Sequence, residues 1–517
     1  MSANSRIESS GSAPARATRK EWIGLSVIAL PCLLYSMDLT VLHMAVPRLS
    51  TELEPTSAQL LWIIDIYGFL VAGSLITMGT LGDRIGRRRL LLIGAGAFGV
   101  ASLLAAFANS PTTLIAARAI LGVAGATIAP STLSLIRNMF LDAGQRTVAI
   151  SVWITSFSIG GAIGPLIGGV LLEWFWWGSV FLISVPVMAL LLIAGPRLLP
   201  EFRDPSPGRL DLASAAMSLA AVLLVIFGLK QIAQDGVSIM PAGTILAGIC
   251  TAILFARRQL QLESPLIDLR LFREPGFSAS LATYGFSILV LFGGFLFLPQ
   301  YLQLVLGLTP MASGLWTLPW ALAFIVGASV TPPLTRRMNP AFLMAGGLVM
   351  SAIGFAMLAA VGRGTSFAWF AAASSLFSLG MAPVFTLTTD LIVGTAPPER
   401  AGAASAISET SAELGGALGI ALFGSIGTAV YRLAMDDRLP AALAARDGDA
   451  ARSTLGGTMA AASQLTGQDG AVLVDAGRSA FLQALQLCAA LSVAGSLALA
   501  VFVVLSLRNV KRATDAA

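Results

Sequence analysis

Fourteen separate stretches of this chain run for about 20 residues with almost no charge, and 20 apolar residues is the length at which a helix crosses the hydrocarbon core of a bilayer. Inside lipid every backbone N–H and C=O must be satisfied within the segment, so such stretches are α-helices and the fold is an all-α membrane protein. They fall at roughly 22–44, 59–80, 89–108, 112–136, 146–172, 178–199, 211–231, 238–256, 277–303, 311–335, 341–361, 366–393, 402–431 and 479–507. Composition agrees. Only 11% of residues are charged, against about 25% in soluble domains, too few to clothe a water-soluble surface. With 56% hydrophobic residues, the chain is equally unlike a disordered polypeptide.

The net charge of +5 and pI of about 9.4 do not point to nucleic acid, because the basic residues sit between apolar stretches, where the bilayer accounts for them. With residue 1 placed inside, nearly three-quarters of the 32 lysines and arginines fall in the inner segments. Positive-inside asymmetry then puts both termini in the cytoplasm of a multi-pass inner (plasma) membrane protein. Residues 1–20 are rich in serine, alanine and arginine without an apolar face and read as a disordered tail. The first stretch carries Asp38, lacks a cleavage site and is followed by further spans, so it is a span and not a removed leader. His43, Cys32, Cys250 and Cys488 lie singly in or beside apolar stretches and form no metal or disulfide framework.

The spans group as six, two and six. Residues 21–200 hold the first six, 201–274 an inserted pair with polar linkers, and 275–512 the last six. Two similar six-span bundles form a transporter plan. A loop at 433–477, rich in alanine, glycine and aspartate, stands over the outer side. It reads as a set of short amphipathic helices, either a mobile connection or an acidic cover that attracts cations.

The sharpest local signal is Gly79-Thr80-Leu81-Gly82-Asp83-Arg84-Ile85-Gly86-Arg87-Arg88-Arg89, between spans two and three. Gly82 and Gly86 permit a tight turn and close helix approach. Asp83 stands at a helix end within reach of cations. In span five, Gly160, Gly164 and Gly168 recur every four residues and make a groove for another helix. Gly169 follows, and Pro165 removes one helical hydrogen bond.

Buried charge marks the working residues, since an ion near the bilayer centre costs ~2.5 kcal/mol or more. Asp38, Asp65 and Arg118 all lie at one depth, ~9 Å below the outer edge at 1.5 Å per residue, which suggests one charge network. Glu409 and Glu413 are four apart on span thirteen, on one face, with no basic residue nearby on their own helix. In a dry pocket the neutral acid is the cheaper form, so proton carriage and cation binding compete for the same carboxylate. Asp390, near the inner end of span twelve, reads as solvated or helix-terminal. Tyr35, Trp62, Tyr67, Trp153, Phe157, Phe292, Trp316 and Trp320 are candidates for an aromatic pocket that takes a cation on its ring faces. Trp174, Trp176 and Trp177 read as an interfacial belt.

The pattern at 79–89 resembles the signature loop of the major facilitator superfamily. Tyr35 to Val41, running on to Ala45 and Pro47, resembles the first-span motif of its fourteen-span drug/proton antiporters. Arg118 with Gly122 resembles the fourth-span arginine motif, and Gly164 to Gly169 the fifth-span antiporter motif, although Thr155 stands where its longer form has glycine. Leu61 to Tyr67, Pro130 to Arg137 and Ser408 to Gly415 look like quaternary-ammonium-compound exporters of the QacA and SmvA type. The resemblance covers essentially the whole chain. It implies the major facilitator fold with two inserted helices and proton-coupled export of amphiphilic, cationic drugs or biocides by a monomer. No cofactor is implied, only a proton gradient, and Asp38, Arg118, Glu409 and Glu413 are the coupling candidates. Span ten, Leu318 to Val326, lacks the acid that related exporters often carry there, which leans toward monovalent or more apolar cargo. Export of a self-made antibiotic fits the same residues. A membrane-embedded enzyme does not, for want of a nucleophile–base pair, metal ligands or a phosphate loop. A non-transporting sensor is the remaining alternative.

Overall fold

A computed structural model describes residues 16–55, 57–203, 211–235, 238–262, 265–397, 400–435, 452, 454–463 and 468–509. Fourteen helices are long and apolar enough to cross a membrane, and no strand occurs among the described residues. Spans one to six are Arg19–Leu42, Trp62–Ile85, Arg87–Ala106, Pro111–Met139, Ala143–Trp174 and Ser179–Leu198. The inserted pair is Leu212–Ile232 and Ile239–Gln261. Spans nine to fourteen are Pro275–Val305, Ala312–Thr335, Pro340–Ala359, Phe367–Thr395, Ala401–Met435 and Asp469–Leu507.

The helices begin and end where local chemistry dictates. Thr18 and Glu21 form a capping box, so the first helix starts at Arg19 and claims the last two residues of the expected tail. It runs on to Leu53 and stops where Glu54 takes a left-handed conformation at φ 46°. Ser110 with Pro111, and Thr309 with Pro310, open spans four and ten by the cap-then-proline pattern. Span four is broken between Gly125 and Ile128. The last helix starts at Gln468, before the expected 479, and a short helix, Leu455–Ala462, packs against it. The loop is therefore shorter than 433–477. Its alanine-rich middle lies outside the described residues, as does most of the N-terminal tail.

The first and last six spans repeat one neighbour pattern. Span one lies on five and six, two on four, and three on four and six. Correspondingly, nine lies on thirteen and fourteen, ten on twelve, and eleven on twelve and fourteen. The halves meet along two seams, span two against thirteen and span five against ten. The fifth-span glycines serve a seam inside the first bundle. A Cβ on Gly160 would fall on the Leu33 carbonyl, and one on Gly164 on Thr40 and Met37, so span one presses into that groove. Gly168 is buried, Gly169 faces open space, and the helix continues through Pro165.

The inserted pair covers the seam between spans two and thirteen. Span seven packs on span eight, on two and on thirteen. Phe69, Ala72, Val222 and Ile226 form an apolar cluster there, joined by Leu414 and Ala417. At one end Asp211 caps span seven and pairs with Arg258 of span eight at 2.8 Å. The Ser214 hydroxyl first, and Arg258 after it, hold the Asp211 carboxyl below its usual range.

Candidate functional site

Spans one, two, five, nine and thirteen converge on a polar centre inside the molecule. Tyr35 on span one is its hub. Its ring meets Phe157 edge-on at 5.5 Å and lies 6.2 Å from Tyr67, and its hydroxyl interacts with the Glu413 carboxylate. Phe157 continues to Trp153 at 4.7 Å, and the Trp153 indole donates to the Thr132 hydroxyl at 2.9 Å. Glu413 lies twelve residues along span thirteen, about 18 Å from its start. Glu409, one turn earlier, has a buried Oε1 with no hydrogen-bond partner among the described residues. Tyr284 on span nine interacts with both acids. An orphaned carboxylate oxygen in such a place is the kind of group that needs a proton, a water or a cation.

The expected three-membered charge network divides in two. Arg118 donates to Asp38 at 3.3 Å and to the Ile64 carbonyl at 3.4 Å, with both side chains nearly free of exposure at 1% and 4%. Its guanidinium lies 5.2 Å from the Tyr67 ring centre and 6.0 Å from that of Phe181. Asp65 instead pairs with Lys230 from the inserted span seven. Equal depth did not decide the pairing because residues at one depth still point in different directions around their helices.

The aromatic candidates also divide. Tyr35, Tyr67, Trp153 and Phe157 are in the centre. Trp62 is 44% exposed and meets Phe69 on its own helix at 6.2 Å, and Phe292 is 42% exposed beside Gly416. Trp316 stacks on Phe367 at 5.0 Å, away from the acids' aromatic chain, and Trp320 lies against Phe295. Tyr284 beside the acids and Lys230 beside Asp65 are not among the expected site residues. Neither belongs to a motif in its own span, and only its neighbours from other spans give it meaning.

The signature loop closes one end of the molecule. Asp83 pairs with Arg87 and accepts a hydrogen bond from the Ala403 backbone at 3.2 Å, at the start of span thirteen. Gly79 lies so near that helix that a Cβ there would be 2.7 Å from the Gly402 carbonyl. Gly82 leaves room for the Arg87 guanidinium, and Gly86 turns the chain at φ 113° beside Glu201. Arg88 donates to the Pro196 and Leu199 carbonyls at 3.1 and 3.0 Å, while Arg84 occupies the last turn of span two. Asp390, expected to be solvated or helix-terminal, lies near the end of its helix but is not free in solvent: it binds Arg146 at 2.7 Å and Thr147 at 2.9 Å, a second tie between the bundles at this end. The linker before span nine adds a third: the Leu266 carbonyl accepts from Thr80, and Asp268 pairs with Arg400 at 2.9 Å.

Gly402 is decisive for this closure. A Cβ there would fall on the fully buried guanidinium of Arg87. Gly402→Ala is expected to drive Arg87 from its place and open this end. In a background lacking Cys32, Cys250 and Cys488, Ala406→Cys should then react several-fold faster with a membrane-impermeant maleimide. Unchanged labelling would show that the Arg87 packing does not hold the end shut.

Comparison with known proteins decides the family. The major facilitator superfamily profile matches residues 28–420. The chain belongs to the major facilitator superfamily. This major facilitator is 43% identical over 466 residues to the multidrug efflux pump LfrA of Mycolicibacterium smegmatis, covering 90% of this chain and 92% of that protein. It is 37% identical over 483 residues to the methyl viologen resistance protein SmvA of Salmonella typhimurium, covering 93% and 96%. The human organic anion transporter MFSD10 (TETRAN) shares the fold, with a TM-score of 0.59 at 15% identity over 94% of this chain and all of that one. As a major facilitator the chain is a membrane transporter and not an enzyme. Among the described residues no group of three or more His, Cys, Asp or Glu is placed to hold a metal.

Proposed function

We propose that this transporter exports hydrophobic, cationic drugs or biocides in exchange for protons, as a fourteen-span antiporter of the QacA and SmvA type. The carrying observation is the pair Glu409 and Glu413, one turn apart inside the protein, with one carboxylate oxygen of Glu409 unpartnered. Two such acids one turn apart cannot both be charged at low cost, so one of them holds a proton until a cation replaces it. Tyr35, Phe157 and Trp153 supply apolar area and ring faces beside the acids for an amphiphilic cation. Asp38 is paired with Arg118, and cargo or proton reaching it competes with that ion pair. The closed end holding Asp83 and Arg87 faces the cytoplasm, with both termini on that side of the plasma membrane, and alternating access begins by parting it. Multidrug efflux for LfrA and methyl viologen resistance for SmvA support this reading.

The test is exchange in proteoliposomes of purified protein carrying an imposed pH gradient and no ATP. Tetraphenylphosphonium is expected to move against its gradient, to drive counterflow of protons, and to stop when a protonophore is added. Movement indifferent to the pH gradient would overturn proton coupling, and no movement of any cation or neutral amphiphile would overturn export.

A further inference from the structure

The inserted span seven sends one charged side chain into the transporter. Lys230 reaches across to span two, pairs with Asp65, and sets its ammonium 4.6 Å from the centre of the Phe69 ring. Asp65 and Phe69 are four apart on span two, and Trp62, edge-on to Phe69, continues the same face. A carboxylate beside an aromatic face is a receptor for a monovalent organic cation. The ammonium of Lys230 also acts electrostatically on Glu413, which couples the pairing site to the central acids. Span seven is held to this position. Gly73 has no side chain where Leu219 and Leu223 come in, and Phe227 meets Phe69 at 6.4 Å.

A structural ion pair is a weak explanation for this arrangement. The Lys230 and Asp65 side chains remain 37% and 22% exposed, so the pair is not sealed in the core and another cation can reach it. The ring contact adds what a simple pair would not need. We propose that Lys230 is a specificity-determining residue: a tethered cation that fills the Asp65–Phe69 receptor, which a cationic cargo must displace. A neutral cargo has no use for the receptor and does not meet this competition. Tethering gives the lysine a high effective concentration, so it weakens apparent binding of every cation that needs the same carboxylate. The identity of the competitor as cargo rests on the exporter reading. The displacement itself is read by binding alone.

Lys20, Lys230 and Lys511 are the only lysines in the sequence, so wild-type protein can be methylated to charged dimethyl-lysines and followed by NMR. The Lys230 signal is expected upfield, over the Phe69 ring. Titration with tetraphenylphosphonium should move it toward the position of a free side chain while Lys20 and Lys511 stay in place. A Lys230 signal that does not move at saturating tetraphenylphosphonium, or absence of saturable binding, would overturn the proposal. Lys230→Met should tighten tetraphenylphosphonium binding about fivefold or more and leave binding of neutral Nile red unchanged. Lys230→Arg should stay near wild type, and Lys230→Met with Asp65→Asn should lose the gain. Equal gains for both ligands, or a gain that persists without Asp65, would also overturn it. If proteoliposomes show no proton exchange but these titrations succeed, the coupling reading fails and the tethered cation stands.

Discussion

Glu413→Gln is expected to reduce cargo-driven proton flux in proteoliposomes to that of empty liposomes while leaving the protein folded. Glutamine keeps the length and hydrogen-bonding reach of the side chain toward Tyr35 but cannot take up or release a proton. Removing an ionisable group from so far inside the membrane carries no folding penalty and relieves a desolvation cost. Thermal stability in detergent should therefore hold or rise as transport is lost. Glu409→Gln tests the division of labour. With its Oε1 already unpartnered, its loss should weaken cation binding more than it changes the folded state. Undiminished exchange in Glu413→Gln would remove that acid from the coupling machinery.

Arg118→Met is expected to cost about 3–5 kcal/mol of stability, because it leaves the buried Asp38 carboxylate without its partner. The pair is almost wholly shut off from solvent, and Arg118 also stacks toward Tyr67 and Phe181. Adding Asp38→Asn should recover most of the loss, since an amide beside methionine leaves no charge to bury. Thermal unfolding in detergent measures both variants. A single mutant as stable as wild type would mean that Asp38 takes up a proton or water enough to do without arginine. The double variant, stable but unable to prefer a cation over a neutral cargo, would separate the structural part of Asp38 from its part in selectivity.

The bilayer makes much of this fold readable from a single chain. A span must be apolar for about 20 residues whatever it touches, so hydropathy marks all fourteen without knowledge of neighbours. Helix ends were less legible. The first helix runs past the hydrophobic thickness to its caps at Thr18 and Glu54, and the last begins outside it at Gln468. The site was legible as a set of residues and not as a set of pairs. Depth can be counted along a helix, which brought Asp38, Asp65 and Arg118 together. The direction in which each side chain leaves its helix depends on how helices pack. Lys230 is 165 residues from Asp65 in the chain, and nothing local in span seven announces that it faces span two. The place of Asp390 near a helix end is legible for itself, but its partners Arg146 and Thr147 are on the other bundle and are hidden for the same reason.

The inserted helices give the two flanks of the molecule different surroundings. Spans two and thirteen are clad in protein by span seven, whereas Val152 of span five and Leu322 and Val326 of span ten are exposed on an unclad flank. A rocking motion shared equally by the two bundles therefore displaces unlike materials. On one side it moves acyl chains, which flow. On the other it must carry two helices moored through Leu266 to Thr80 and through Asp268 to Arg400. In the proposed alternating access, bilayer thickness and lateral pressure would act most directly on the bare flank, and the mooring on the clad one.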